Sequence, residues 1–99
     1  MDFNERMLNT CKEWFEGIDN VKIERAYKQN YKGYCRHLYI ASYIDEDERL
    51  NVSLVRVFGD ENSTKFNLSV DHEFCVENNT DELLAKLPLL INEAINVMN

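Results

Sequence analysis

The sequence predicts an α+β fold: a two-layer sandwich in which a four-stranded antiparallel meander carries N- and C-terminal helices on one face, in the order α-β-β-β-β-α. Three observations lead there. Apolar residues recur with helical spacing only at the two ends of the chain. Between them lie four runs of strand-like alternation whose connections are too short for a parallel crossover. At 99 residues and 44% hydrophobic content, with one proline and three glycines, residues 1–99 form a single domain with one core.

The first helix spans residues 3–18. Phe3, Met7, Leu8, Cys11, Trp14, Phe15 and Ile18 make its apolar stripe, and Gly17 sits where a helix ends. The first strand, 20–29, sets Val21, Ile23, Arg25 and Tyr27 against Lys22, Glu24, Ala26 and Lys28. A turn at Asn30-Tyr31-Lys32-Gly33 closes it. The second, 34–44, is apolar on both faces and therefore central: Leu38, Ile40 and Ile44 on one, Tyr39, Ala41 and Tyr43 on the other. In the third, Leu50, Val52, Leu54 and Phe58 alternate with Asn51, Ser53, Val55 and Val57, up to a turn at Gly59-Asp60-Glu61-Asn62. In the fourth, Phe66, Leu68, Val70 and His72 share a face. The last helix opens on the capping pattern Asn79-Thr80-Asp81-Glu82 and carries a leucine-rich core stripe from Leu83 to Met98. Pro88 inside it removes a backbone bond, which predicts a kink or a split-off first turn.

Eighteen acids against eleven bases give a net charge of −7. That balance argues against binding nucleic acid through its phosphates, or an anionic membrane, and it favours a basic protein surface. Cys11, Cys35 and Cys75 are odd in number and lack framework spacing, so they read as reduced thiols. The polar N-terminus carries no signal-peptide pattern, and the expected location is cytoplasmic.

The acidic run Asp45-Glu46-Asp47-Glu48 falls at the tip between the second and third strands. Antiparallel order brings Asp19, Asp71, Glu73, Glu77, Asp81 and Glu82 toward the same end, so ten acids should form one pole. The opposite end holds Lys28, Lys32, Arg36 and Lys65, offset partly by Asp60 and Glu61. Acidic loops often serve solubility alone; a pole of this size is also suited to steering toward a basic groove. With both helices on one face, the other face would expose Tyr39, Tyr43, Val55 and Val57, an aromatic-aliphatic patch of the kind interfaces use as anchors. The candidate partner-binding residues are Asp45, Glu46, Asp47, Glu48, Asp71, Glu73, Tyr39 and Tyr43.

Other constellations lead less far. Asp45-x-Asp47 begins like a calcium loop, but Arg49 stands where a third oxygen ligand is needed and no glycine follows at the sixth position. Cys35-x-His37 and His72-x-x-Cys75 have zinc-like spacing, yet the topology puts the pairs at opposite ends of their strands, ~20 Å apart. Cys35 and His37 share a strand face, but no third catalytic group or oxyanion motif accompanies them, and they read as a packed thiol beside a surface histidine. No catalytic residue, metal or cofactor is assigned.

These features point to a non-enzymatic inhibitor that blocks a basic nucleic-acid-binding site on a partner, such as a nuclease. Small size, acidity, an Asn-rich composition and the lack of motifs make the chain similar to inhibitors from phages and mobile elements, of the anti-CRISPR or anti-restriction type. That likeness is one of general character and transfers no residue. The alternative is a chaperone-like or immunity-type binding protein, a homodimer using the tyrosine face.

Overall fold

The computed structural model describes residues 2–77 and 80–98. Its elements are α1 (Phe3–Trp14), β1 (Lys22–Tyr31), β2 (Tyr34–Ile44), β3 (Leu50–Asp60), β4 (Asn67–Val76) and α2 (Thr80–Met98). The strands form one sheet in the order β1-β2-β3-β4 with every pair antiparallel, the meander expected from the short connections.

Asp2 caps α1, its Oδ1 accepting from the Glu5 amide at 2.9 Å. The helix stops at Trp14, short of residue 18. From there the chain tightens into i to i−3 bonds, with the amides of Phe15, Glu16 and Ile18 donating to Lys12, Glu13 and Phe15 at 3.1 Å. β1 turns directly into β2 through Lys32 (φ 50°) and Gly33 (φ 82°), a two-residue connection of the type that matches the twist of the strands. The proposed cap at Asn79 lies outside the described residues. α2 runs unbroken from Thr80 to Met98 with Pro88 inside it, so its first turn is not split off. Its last carbonyls lack a nearby cation on the helix; Arg36 of β2 supplies one, donating from Nη1 to the Met98 carbonyl at 2.8 Å.

The helices do not share a face. Met7 and Cys11 of α1, with Phe15 at its C-terminal cap, pack on Cys35, Tyr39, Ala41, Val55 and Val57. On the other side of the sheet, Leu87, Leu90, Ile91, Ala94, Ile95 and Met98 of α2 pack on Leu38, Ile40 and Leu54. The arrangement is three layers with the sheet in the middle. The physical reason is already in β2 and β3, which are apolar on both faces: each face buries several large side chains, each worth about 1.5–3 kcal/mol, and one helix covers each.

Two bulges further rearrange the faces. An extra residue in β1, Ala26, separates the Arg25–Tyr39 pair from the Tyr27–Leu38 pair. Asp71 in β4 does the same between Val70–Val55 and His72–Leu54. Alternation reverses across each bulge. Ile23 therefore packs on the α1 side and Tyr27 on the α2 side, and Leu68 and Val70 face α1 while His72 faces away. Both bulges lie in edge strands, where they increase local twist and disfavour pairing with other chains.

Beyond β3, Phe66 folds back over Gly59. A β-carbon on Gly59 would meet Phe66 Cδ1 at 2.9 Å. Gly59→Ala is therefore expected to displace the Phe66 ring and cost about 1–3 kcal/mol, read as a lower urea midpoint with an unchanged m-value. An unchanged midpoint would mean that Phe66 does not lie there.

Candidate functional site at the acidic end

The β2–β3 hairpin tip is built around the Asp45 carboxylate. Oδ1 accepts from the amides of Asp47 (3.0 Å) and Arg49 (2.9 Å), and Oδ2 accepts from Asn51 Nδ2 at 3.0 Å. The Glu48 amide donates to the Asp45 carbonyl and the Asp45 amide to that of Arg49, both at 3.0 Å. Glu48 takes the left-handed conformation (φ 62°) that closes a three-residue hairpin loop. The Asn51 side chain, then the Arg49 and Asp47 amides, hold the Asp45 carboxyl below its usual range. Asp45 is thus a structural residue of the loop, half-buried, and only Glu46, Asp47 and Glu48 project fully into solvent. Among the described residues, none of these three carboxylates takes part in an ion pair.

Arg49 reaches Glu77 at 3.9 Å, drawing the end of β4 to the tip. Glu73, opposite Ser53, lies on the α1 side of β4 and borders a cleft under the end of α1. Asp71 does not belong to this end. Its bulge sits midway along the strand, where the carboxylate accepts from Ser69 Oγ at 3.2 Å and faces Arg56 Nη2 at 3.9 Å. β4 runs on to Val76, beyond the clean alternation that ends at His72, and this puts Asp71 at the middle of the strand rather than at its end.

Tyr39 and Tyr43 do not form an open patch. α1 covers Tyr39, Val55 and Val57 completely, and Tyr43 is half-buried at the edge of the cleft. Burial pushes the Tyr39 hydroxyl up to about 12. The sheet face on which a dimeric, chaperone-like protein would have depended is the floor of the core.

Exposed large apolar groups occur at the β1–β2 turn (Tyr31 and Tyr34), along α2 (Leu89 and Val97) and, as four more, around the acidic end. Trp14 (59% exposed) and Ile18 (37%) flank the cleft on the α1 side; Ile44 (62%) adjoins the tip, and Leu84 (53%) leans over Leu50 on the α2 side. All four crowd the acidic end. Sequence periodicity places Trp14 and Ile18 in the core stripe, but Trp14 and Phe15 are adjacent, and neighbours on a helix point about 100° apart. Phe15 takes the core position and leaves Trp14 outside.

At the opposite end several cations are engaged in the fold. Arg6 donates to the carbonyls of Ser63 (2.7 Å) and Glu61 (2.6 Å) and lies over the Phe66 ring. Arg36 lies over Tyr34 and Lys32 over Tyr31. Arg6, Lys28, Lys32 and Arg36 are thus tied to rings or carbonyls, whereas the Glu46, Asp47 and Glu48 carboxylates at the tip form no ion pair among the described residues.

Cys35 and His37 are both buried under α1, which corrects the expectation of a surface histidine. His37 Nδ1 pairs with the Tyr39 hydroxyl at 3.2 Å, its ring meets Phe3 edge-on, and its Nε2 has no hydrogen-bond partner among the described residues. Burial first, and then the charges of Arg25 and Lys28, push its pKa down to about 4. Burial raises the thiols of Cys35 and of Cys11, the latter to about 11, so neither is a poised nucleophile. His72 stands on the opposite sheet face from Cys75, and both are remote along their strand from the partners of Cys35 and His37. Among the described residues no cluster could hold a metal ion, and no helix is long and apolar enough to cross a membrane. Comparison with protein-family models, curated proteins and solved structures finds no match.

Proposed function

We propose that the protein is a non-enzymatic binding protein whose acidic end occupies a basic, nucleic-acid-binding surface of a partner protein, acting as an inhibitor in the cytoplasm. The observation that carries this reading is the coincidence, at one end, of exposed carboxylates on a hydrogen-bonded hairpin, in no ion pair among the described residues, with exposed Trp14, Ile18, Ile44 and Leu84. Carboxylates alone serve solubility. Large apolar groups beside them do not, and a rim of charge around aromatic and aliphatic anchors is the composition of a recognition surface. The charges supply steering toward a positive groove, and the hairpin bonds keep the tip preorganised. The character fits the kind of inhibitor that mobile elements direct against host nucleases.

The test is affinity capture with the immobilised protein at low and at high salt, with double-stranded DNA as competitor. The reading expects a nucleic-acid-binding protein that is released both by salt and by DNA, and is not captured after Glu46→Lys, Asp47→Lys and Glu48→Lys are combined. Capture that ignores salt, DNA and the reversal would overturn it.

A further inference from the structure

The cleft between the end of α1 and the edge strand β4 has a volume of about 390 Å³, within the size range of small-ligand sites. Trp14 and Ile18 line it from the end of α1, and Tyr43, Asn51, Ser53 and Glu73 line it from the sheet. No lysine or arginine lines it. Its one charged lining group is an acceptor, the Glu73 carboxylate. Glu73 presents a carboxylate that forms no ion pair among the described residues. Asn51, which also lines the cleft, donates from its amide nitrogen to Asp45 Oδ2 (3.0 Å) and to the Arg49 carbonyl (3.2 Å). That same bond joins the cleft to the acidic tip, so cations drawn to Glu46, Asp47 and Glu48 arrive at its mouth.

On the reading of the acidic end as a binding surface, we propose that this cleft receives an arginine side chain of the basic partner. A guanidinium is planar and weakly hydrated. It stacks on the faces of tryptophan and tyrosine while its N–H groups bind a carboxylate in a fork. Trp14 and Tyr43 supply the faces, Glu73 the carboxylate, and Asn51 and Ser53 further acceptors. An ammonium group lacks both the plane and the fork, so arginine is preferred over lysine.

Trp14 is the one tryptophan in the chain and reports directly on the site. The probe is N-acetyl-arginine methylamide, titrated into the ¹⁵N-labelled protein while Trp14 fluorescence and amide shifts are followed. The lysine and citrulline counterparts serve as controls; citrulline keeps the shape of arginine without its charge. Saturable changes at the Trp14 indole and at the Ser53 and Glu73 amides are expected with arginine, weaker changes with lysine and none with citrulline. Glu73→Gln should weaken arginine binding about tenfold. Trp14→Leu, followed by the Glu73 amide, should weaken it as well, each variant being checked for an unchanged melting temperature. Equal responses to citrulline, shifts confined to residues 46–48, or full binding by Glu73→Gln would overturn the arginine site. Those failures would leave the acidic end standing as a surface, because its own test is the hairpin reversal.

Discussion

Combining Glu46→Lys, Asp47→Lys and Glu48→Lys is expected to weaken association with the basic partner about a hundredfold, with most of the loss in the association rate. Each reversal changes the charge by two units on a chain whose net charge is −7, and all three side chains are exposed at the tip. Rim charges act through the summed field, so the effect should shrink as added salt shortens the screening length toward about 8 Å. The fold should not change, since none of the three side chains holds the loop closed. Asp45 must be left in place: its carboxylate receives the amides of Asp47 and Arg49 and the Asn51 side chain, and losing it would open the tip. Surface plasmon resonance at two salt concentrations separates the two rates, and circular dichroism melting checks the fold. An unchanged association rate would show that the carboxylates do not steer.

Acid should destabilise the protein before its carboxylates titrate. His37 is fully buried, and its pKa falls from the ordinary 6.5 to about 4 in the folded chain. The unfolded chain therefore binds the proton first. Stability from this group is complete above about pH 6.5, is lost progressively as pH falls toward 4, and changes no further once both states are protonated. The full shift corresponds to about 3 kcal/mol, a large fraction of what a domain of this size possesses. The groups around the ring account for the direction: Phe3 on α1 is apolar, Arg25 and Lys28 on β1 are cationic, and Tyr39 offers one hydroxyl. Asp45, depressed by its hydrogen bonds, acts in the same direction but at lower pH, below the usual carboxylate range. Urea midpoints between pH 7 and 4 should fall in the native protein and flatten over that window in His37→Phe. Parallel slopes in the two would assign the acid sensitivity elsewhere.

Much of the architecture is legible in the residue pattern. Short turns force the meander, Lys32-Gly33 marks a tight hairpin, and the acidic run lies at a tip. β2 also carried more than was taken from it. Leu38 and Ile40 on one side with Tyr39 and Ala41 on the other require cover on both faces, and two helices are enough to provide one each. With both helices on one face the tyrosines would lie open; with one on each, α1 covers Tyr39, Val55 and Val57. The bulges at Ala26 and Asp71 are harder to read, because a single extra residue leaves composition unchanged while reversing every side chain beyond it. The apolar half of the candidate site was hidden by the helix pattern itself. Trp14 belongs to the stripe by spacing, and only the early end of α1 and the choice of Phe15 for the core turn it outward.

The most direct test of the acidic end as the recognition surface is hydrogen–deuterium exchange of the protein with and without its captured partner. Protection is predicted at residues 14–18, 43–51 and 73–77, with little change at the Tyr31–Tyr34 turn. Protection confined to that turn and to residues 60–66, with exchange at the β2–β3 hairpin unaltered, would contradict the account.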